Sequence, residues 1–124
     1  MSPRYRPEPI DRAAHVRRSV QLFNAGEYWA AHEELETVWR SIPDERTASV
    51  YQGLIQAAAA LLHRQRGNPH GNRVVGQRAL DKLAGSQHPA VEFETEEFRR
   101  ILERALREGG DPPQLRTRTE DERY

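Results

Sequence analysis

Tyr51-Gln52-Gly53-Leu54-Ile55-Gln56-Ala57-Ala58-Ala59-Ala60-Leu61-Leu62 is the stretch that decides the fold. It has no helix breaker other than Gly53 and is apolar on nearly every side. A helix that is hydrophobic all round is buried all round. The segment, extended to about Asp44–Arg66, is therefore read as the central helix of a bundle, and Pro43 separates it from what precedes. The alanines at 57–60 suit a central place, because small side chains let neighbouring helices approach closely.

Working outward, the flanking segments carry helical periodicity with start and stop signals. Asp11 is a candidate N-cap for a first helix whose apolar residues are Ala13, Val16, Val20 and Phe23. Asn24-Ala25-Gly26 ends it, with Gly26 able to take a left-handed C′ conformation. A second helix follows at once, from about Glu27 to Arg40, so the pair should form an antiparallel hairpin. Beyond the central helix, Asn68-Pro69 is an N-cap followed by a proline at the first helical position. The fourth helix carries Val75, Ala79, Leu80 and Leu83, and Gly85 stops it. His88-Pro89 reads as a loop. Thr95 is expected to cap a fifth helix with the stripe Phe98, Ile101, Leu102, Ala105 and Leu106, ended by Gly109-Gly110. The expected architecture is all-α: a five-helix up-and-down bundle with a buried central third helix and loosely ordered N- and C-terminal tails. One helical domain is placed at 1–110 and a flexible tail at 111–124, with Leu115 as the tail's anchor.

Composition limits the function classes. The 124 residues carry 19 basic and 19 acidic side chains and no cysteine. A formal net charge of zero argues against a dedicated nucleic-acid binder, and the missing cysteine removes disulfide and thiolate chemistry. The longest apolar run, Gly53–Leu62, is too short to span a bilayer, and residues 1–9 lack the apolar stretch of a signal peptide. A cytoplasmic location is expected by elimination, with no cofactor, nucleic acid or membrane. Charge is unevenly placed. Residues 27–45 hold six acids (Glu27, Glu33, Glu34, Glu36, Asp44, Glu45) against Arg40, and residues 63–82 hold five bases (Arg64, Arg66, Arg73, Arg78, Lys82) against Asp81. These faces are expected to attract each other within the fold rather than to steer a partner.

Candidate functional residues are polar groups on faces that should be buried. Projected at about 100° per residue, Tyr28, Leu35 and Trp39 form the buried stripe of the second helix, His32 falls inside it and Glu36 at its edge. Gln52, Gln56 and His63 make a polar line along the central helix. Buried polar groups need partners, so the two lines are expected to face each other. Three readings follow. The set is a hydrogen-bond network that fixes helix register; or it lines a small-ligand pocket of a hydrolase-like enzyme, with His32 and Glu36 as a weak metal pair; or the domain is an interaction module marked by an exposed apolar patch or homo-oligomers. His15, His70 and His88 read as isolated and exposed, and Trp29 and Trp39 as core or rim packing residues rather than a stacking platform for bases.

Two blocks carry a resemblance. Leu22-Phe23-Asn24-Ala25-Gly26-Glu27-Tyr28-Trp29-Ala30-Ala31-His32-Glu33-Glu34-Leu35-Glu36, followed by Trp39-Arg40, and Tyr51-Gln52-Gly53-Leu54-Ile55-Gln56-Ala57-Ala58-Ala59, followed by His63, Gly67 and Asn68, resemble the signature of the domain of unknown function 309 family. Ala30 departs from that signature, which often has an acidic residue there. The resemblance spans about residues 12–84. It implies a compact helical bundle with a buried central helix, and it implies no activity.

Overall fold

A computed structural model describes residues 4–7, 9–85 and 91–119; the expected loop at His88-Pro89 and the last five residues lie outside this range. Five helices follow in order: α1 (Arg12–Asn24), α2 (Tyr28–Arg40), α3 (Glu45–Gln65), α4 (Pro69–Leu83) and α5 (Glu96–Glu108). Among the described residues there is no strand, only an isolated antiparallel bridge between Phe93 and Thr117.

The helix ends are set by the local chemistry expected of them. Asp11 accepts from the Ala14 amide at 3.1 Å and Asn68 from Gly71 at 3.0 Å. Asp44 accepts from both the amide and the hydroxyl of Thr47. The three amide bonds each satisfy a donor that the first helical turn leaves without a partner. Gly26, at φ 78°, turns the chain from α1 into α2. At α5 the outcome differs from expectation. Thr95 holds the N-cap position, but the capping bonds come from Glu94, whose carboxylate accepts from the Glu96 and Glu97 amides at 3.1 and 3.0 Å.

Each helix packs mainly on its neighbours in the chain, so α3 lies between α2 and α4, with α1 and α5 outermost. Ten α3 residues are buried, including Tyr51, Leu54, Ala57, Ala58 and Leu61. The core also takes Val91, Phe93 and Leu115 from non-helical chain, where no periodicity marks them.

The tail begins as a strap. Leu115 is fully buried, as its anchor role requires, and Pro113 and Arg118 are buried with it. The Glu94 amide donates to Arg116 O and the Arg118 amide to Glu92 O, at 3.0 and 2.7 Å. Asn24 closes the contact from α1: its amide nitrogen donates to Leu115 O at 2.8 Å and its oxygen accepts from Leu115 N at 2.7 Å. Asn24→Ala removes both bonds and is expected to cost about 1–2 kcal/mol. Hydrogen exchange checks this: the amides of Leu115 and Arg118 should lose protection while those at the centre of α3 keep theirs.

Candidate functional site

The buried stripe of α2 is Tyr28, Ala31, Leu35 and Val38. Its centre lies about 50° round the helix from the projected stripe of Tyr28, His32, Leu35 and Trp39. Ala31 and Val38, compact side chains missing from that projection, supply the surface against which the neighbouring helices close. His32 and Trp39 consequently move to the border, each only half-buried.

A cluster forms on this border. The side chains of His32 and Glu36 are 25% and 27% exposed, and His32 Nε2 lies 3.5 Å from Glu36 Oε2. Arg40 Nη2 holds the other oxygen of Glu36 at 2.5 Å. Trp29, one position beyond the buried stripe and 57% exposed, stacks on the His32 ring at 5.4 Å and 16°. Of the core and rim places open to a packing tryptophan, Trp29 takes the rim, with most of its ring on the surface.

The second polar line is not joined to the first. Among the described residues no hydrogen bond connects His32 or Glu36 with Gln52, Gln56 or His63. His32 Nδ1 and Gln56 Oε1 are buried without a hydrogen-bond partner. His63 instead meets Asn68, with Nδ1 3.1 Å from the amide nitrogen, and sits so close to Gly71 that a Cβ there would lie 2.6 Å from the ring. The expected network across α2 and α3 therefore does not close through hydrogen bonds, because the turn of α2 carries His32 outward. Tyr28 packs edge-on against Phe23 at 5.1 Å, and burial raises its phenol above the ordinary value. Trp39 lies under the Arg4 guanidinium at 5.5 Å, and Arg4 also donates to Trp39 O, Ile42 O and Glu45. This cation caps the carbonyl end of α2. Among the described residues no group of three or more His, Cys, Asp or Glu is placed to hold a metal, and His32 with Glu36 supplies two ligands.

Two other clusters escaped sequence reading. His15, expected to be isolated and exposed, pairs instead through Nδ1 with Glu34 at 2.5 Å, and Glu34 also receives Arg18 Nε at 3.1 Å, tying α1 to α2. Burial opposes ionisation of Glu34, but the bonds from His15 and Arg18 outweigh it and hold the carboxyl below its ordinary value. The other cluster joins Arg12, Tyr51 and Glu92. Tyr51 donates to Glu92 Oε1 at 2.5 Å, and Arg12 donates to both carboxylate oxygens at 2.5 and 2.9 Å. Burial, then the Glu92 charge, raises the Tyr51 phenol. Arg12 and Glu92 are 80 residues apart, so no spacing could pair them. The available signal was Tyr51 itself, since a buried tyrosine hydroxyl needs a partner.

The charge segments also pair otherwise than expected. Glu34 pairs with α1, Glu36 within α2, and Glu45 with Arg4. Among the described residues no ion pair links the acids of 27–45 with the bases of 63–82.

The fold and this cluster define a small helical-bundle domain with a polar and aromatic border on its second helix, and no helix among the described residues is long and apolar enough to cross a membrane. Residues 16–75 match the model of the family described as a domain of unknown function (DUF309), so the resemblance read from the two sequence blocks holds over that span. An uncharacterized protein of Aquifex aeolicus (strain VF5) is 36% identical over 110 residues, which are 86% of this chain and 33% of that protein. The uncharacterized protein YpuF of Bacillus subtilis (strain 168) is 29% identical over 90 residues, 73% of this chain and 51% of YpuF. The chain thus spans from a third to about half the length of these curated relatives. No solved structure matches it.

Proposed function

We propose that this domain is an interaction module and that the α2 border around Trp29 and His32 is its docking point. The observation that carries the reading is the exposed Trp29 ring laid flat on His32. Tryptophans of this kind are favoured anchors, because a rigid ring offers a large contact area at little entropic cost. The Glu36–Arg40 pair beside it supplies a polar rim. Longer relatives that contain a domain like this one agree with a module used alongside other chain.

A small-ligand pocket is the second reading. It is favoured by the unpartnered His32 Nδ1 and Gln56 Oε1, each of which would take a hydrogen bond from a polar ligand.

Site-specific photocrosslinking separates the two. A photoreactive residue at position 29 is expected to give a discrete protein adduct in cells, one that an exposed control at Arg17 does not give and that His32→Ala diminishes. The His32→Ala chain itself should melt within about 1 kcal/mol of the parent, since the ring is only half-buried. Equal labelling from both positions, or none, removes the module reading. A ligand-dependent rise in melting temperature that His32→Ala abolishes would favour the pocket.

A further inference from the structure

The basic segment of residues 63–82 contributes to two clefts away from the α2 border. The two adjoin between α4 and α5, of about 320 and 510 Å³, and Arg73 and Leu106 line both. The smaller is bounded by Arg64, Pro69, Asn72 and Arg73; the larger adds Arg99 and Arg107. The arginines differ in how far they are engaged. Arg64 donates to Gly110 O at 2.5 Å, and Arg99 pairs with Glu103 at 3.7 Å. Arg73 and Arg107 make no hydrogen bond or ion pair among the described residues. Asn72 is half-buried, and its Oδ1 is fully buried without a hydrogen-bond partner. The cleft is therefore lined by an uncommitted guanidinium and, from the residue before it, by a side chain whose buried oxygen lacks a partner, in a region whose bases the acidic segment does not neutralise.

We propose that the α4–α5 cleft binds a small phosphate monoester that carries a neighbouring hydroxyl. Arg73, supported by Arg64 and Arg107, meets the phosphate, because a guanidinium offers several fixed donors to phosphate oxygens. On binding, the Asn72 amide turns toward the cleft, and its Oδ1, otherwise buried without a partner, accepts from the hydroxyl. Leu106 packs against the carbon skeleton. A long polyanion fits less well: Glu103 and Asp81 line the larger cleft, and the whole chain carries no net positive charge.

Titration followed by amide chemical shifts tests this, with glycerol 3-phosphate, inorganic phosphate and glycerol as probes. Glycerol 3-phosphate is expected to bind saturably, with shifts centred on residues 64–77 and 105–110. It should bind several-fold tighter than inorganic phosphate, which lacks the hydroxyl, and glycerol should not bind. Arg73→Ala should weaken both phosphates about tenfold or more. Asn72→Ala should erase the preference for the ester while leaving inorganic phosphate unchanged. Arg17→Ala, on α1, should change neither, and the circular dichroism of every variant should match the parent. Absence of saturable binding, insensitivity to Arg73→Ala, or stronger binding of polyuridylate with a steep salt dependence would each overturn the proposal.

Discussion

Gly53→Val is expected to destabilise the domain by about 3 kcal/mol and to lower its melting temperature by about 10 °C. Gly53 lies where α3 meets α4. A Cβ at this position would lie 2.9 Å from Leu83 Cγ and 3.0 Å from both Leu83 Cδ2 and Lys82 Cβ. Leu83 is fully buried, and Lys82 Cβ is fixed to the α4 backbone, so relief requires the two helices to separate. Valine adds two further methyl groups to that overlap. Its better helix propensity returns only about 0.5 kcal/mol. Gly53→Ala should lie between valine and the parent. Gly76→Ala is a useful contrast: its Cβ would meet Leu106 Cδ atoms at 2.6 Å, but those are the ends of a half-exposed side chain that can rotate away. Denaturant and thermal unfolding check the order. A Gly53→Val protein melting within about 3 °C of the parent would mean that the α3–α4 spacing adjusts freely.

Glu92→Ala is expected to cost about 2 kcal/mol at neutral pH. It removes the acceptor of Arg12 and Tyr51 together, so the Tyr51 hydroxyl loses the group it donates to. Removing one member of a fully buried ion pair typically costs about 3–5 kcal/mol. The smaller figure applies here because the side chains of Arg12 and Glu92 are 38% and 25% exposed and solvent screens them. The pH dependence has a definite sign. Burial works to raise the Glu92 carboxyl, but bonds from Arg12 and Tyr51 prevail and hold it below its ordinary 4.5. The unfolded chain then binds more protons as pH falls through that window. The stability from Glu92 is thus fully present above about 4.5 and is lost as pH falls towards the lowered folded value. Tyr51 works at the other end: its phenol is raised, so its contribution is complete below its ordinary 10.0 and declines as pH rises above that. Melting temperatures measured from pH 2 to pH 11 should therefore show a steeper acid limb for the parent than for Glu92→Ala. Parallel limbs would show that the Glu92 carboxyl titrates alike in folded and unfolded chains.

Both effects concern contacts between residues distant in the chain, and this marks where sequence reading stopped. The helix of 45–65 was legible because an all-round apolar stretch with Asp44 before it has few other places to go. The starts at Asp11 and Asn68 were legible for the same local reason: a side-chain oxygen three residues before a free amide is visible in one dimension. The site was legible in composition but not in geometry. His32, Glu36, Gln56 and His63 are polar residues on largely apolar helices, yet their facing depends on how far α2 is turned about its own axis. That turn buries Ala31 and Val38 where α2 packs on α1 and α3, and a rotation of about 50° separates a shared interior network from a surface cluster.

The sequence by itself determined five helices, their order, the caps at Asp11, Asp44 and Asn68 and the central place of α3, because periodicity and capping act within a few residues. Tertiary structure alone decided which polar groups meet. It seated Phe93 and Leu115 in the core, joined Arg12 to Glu92 across the fold, left Trp29 on the surface, and left the arginines of α4 unmatched by the acids of α2. Each of these depends on where whole helices lie relative to one another. Side-chain packing summed over the core fixes those positions, and no single stretch of sequence encodes that sum.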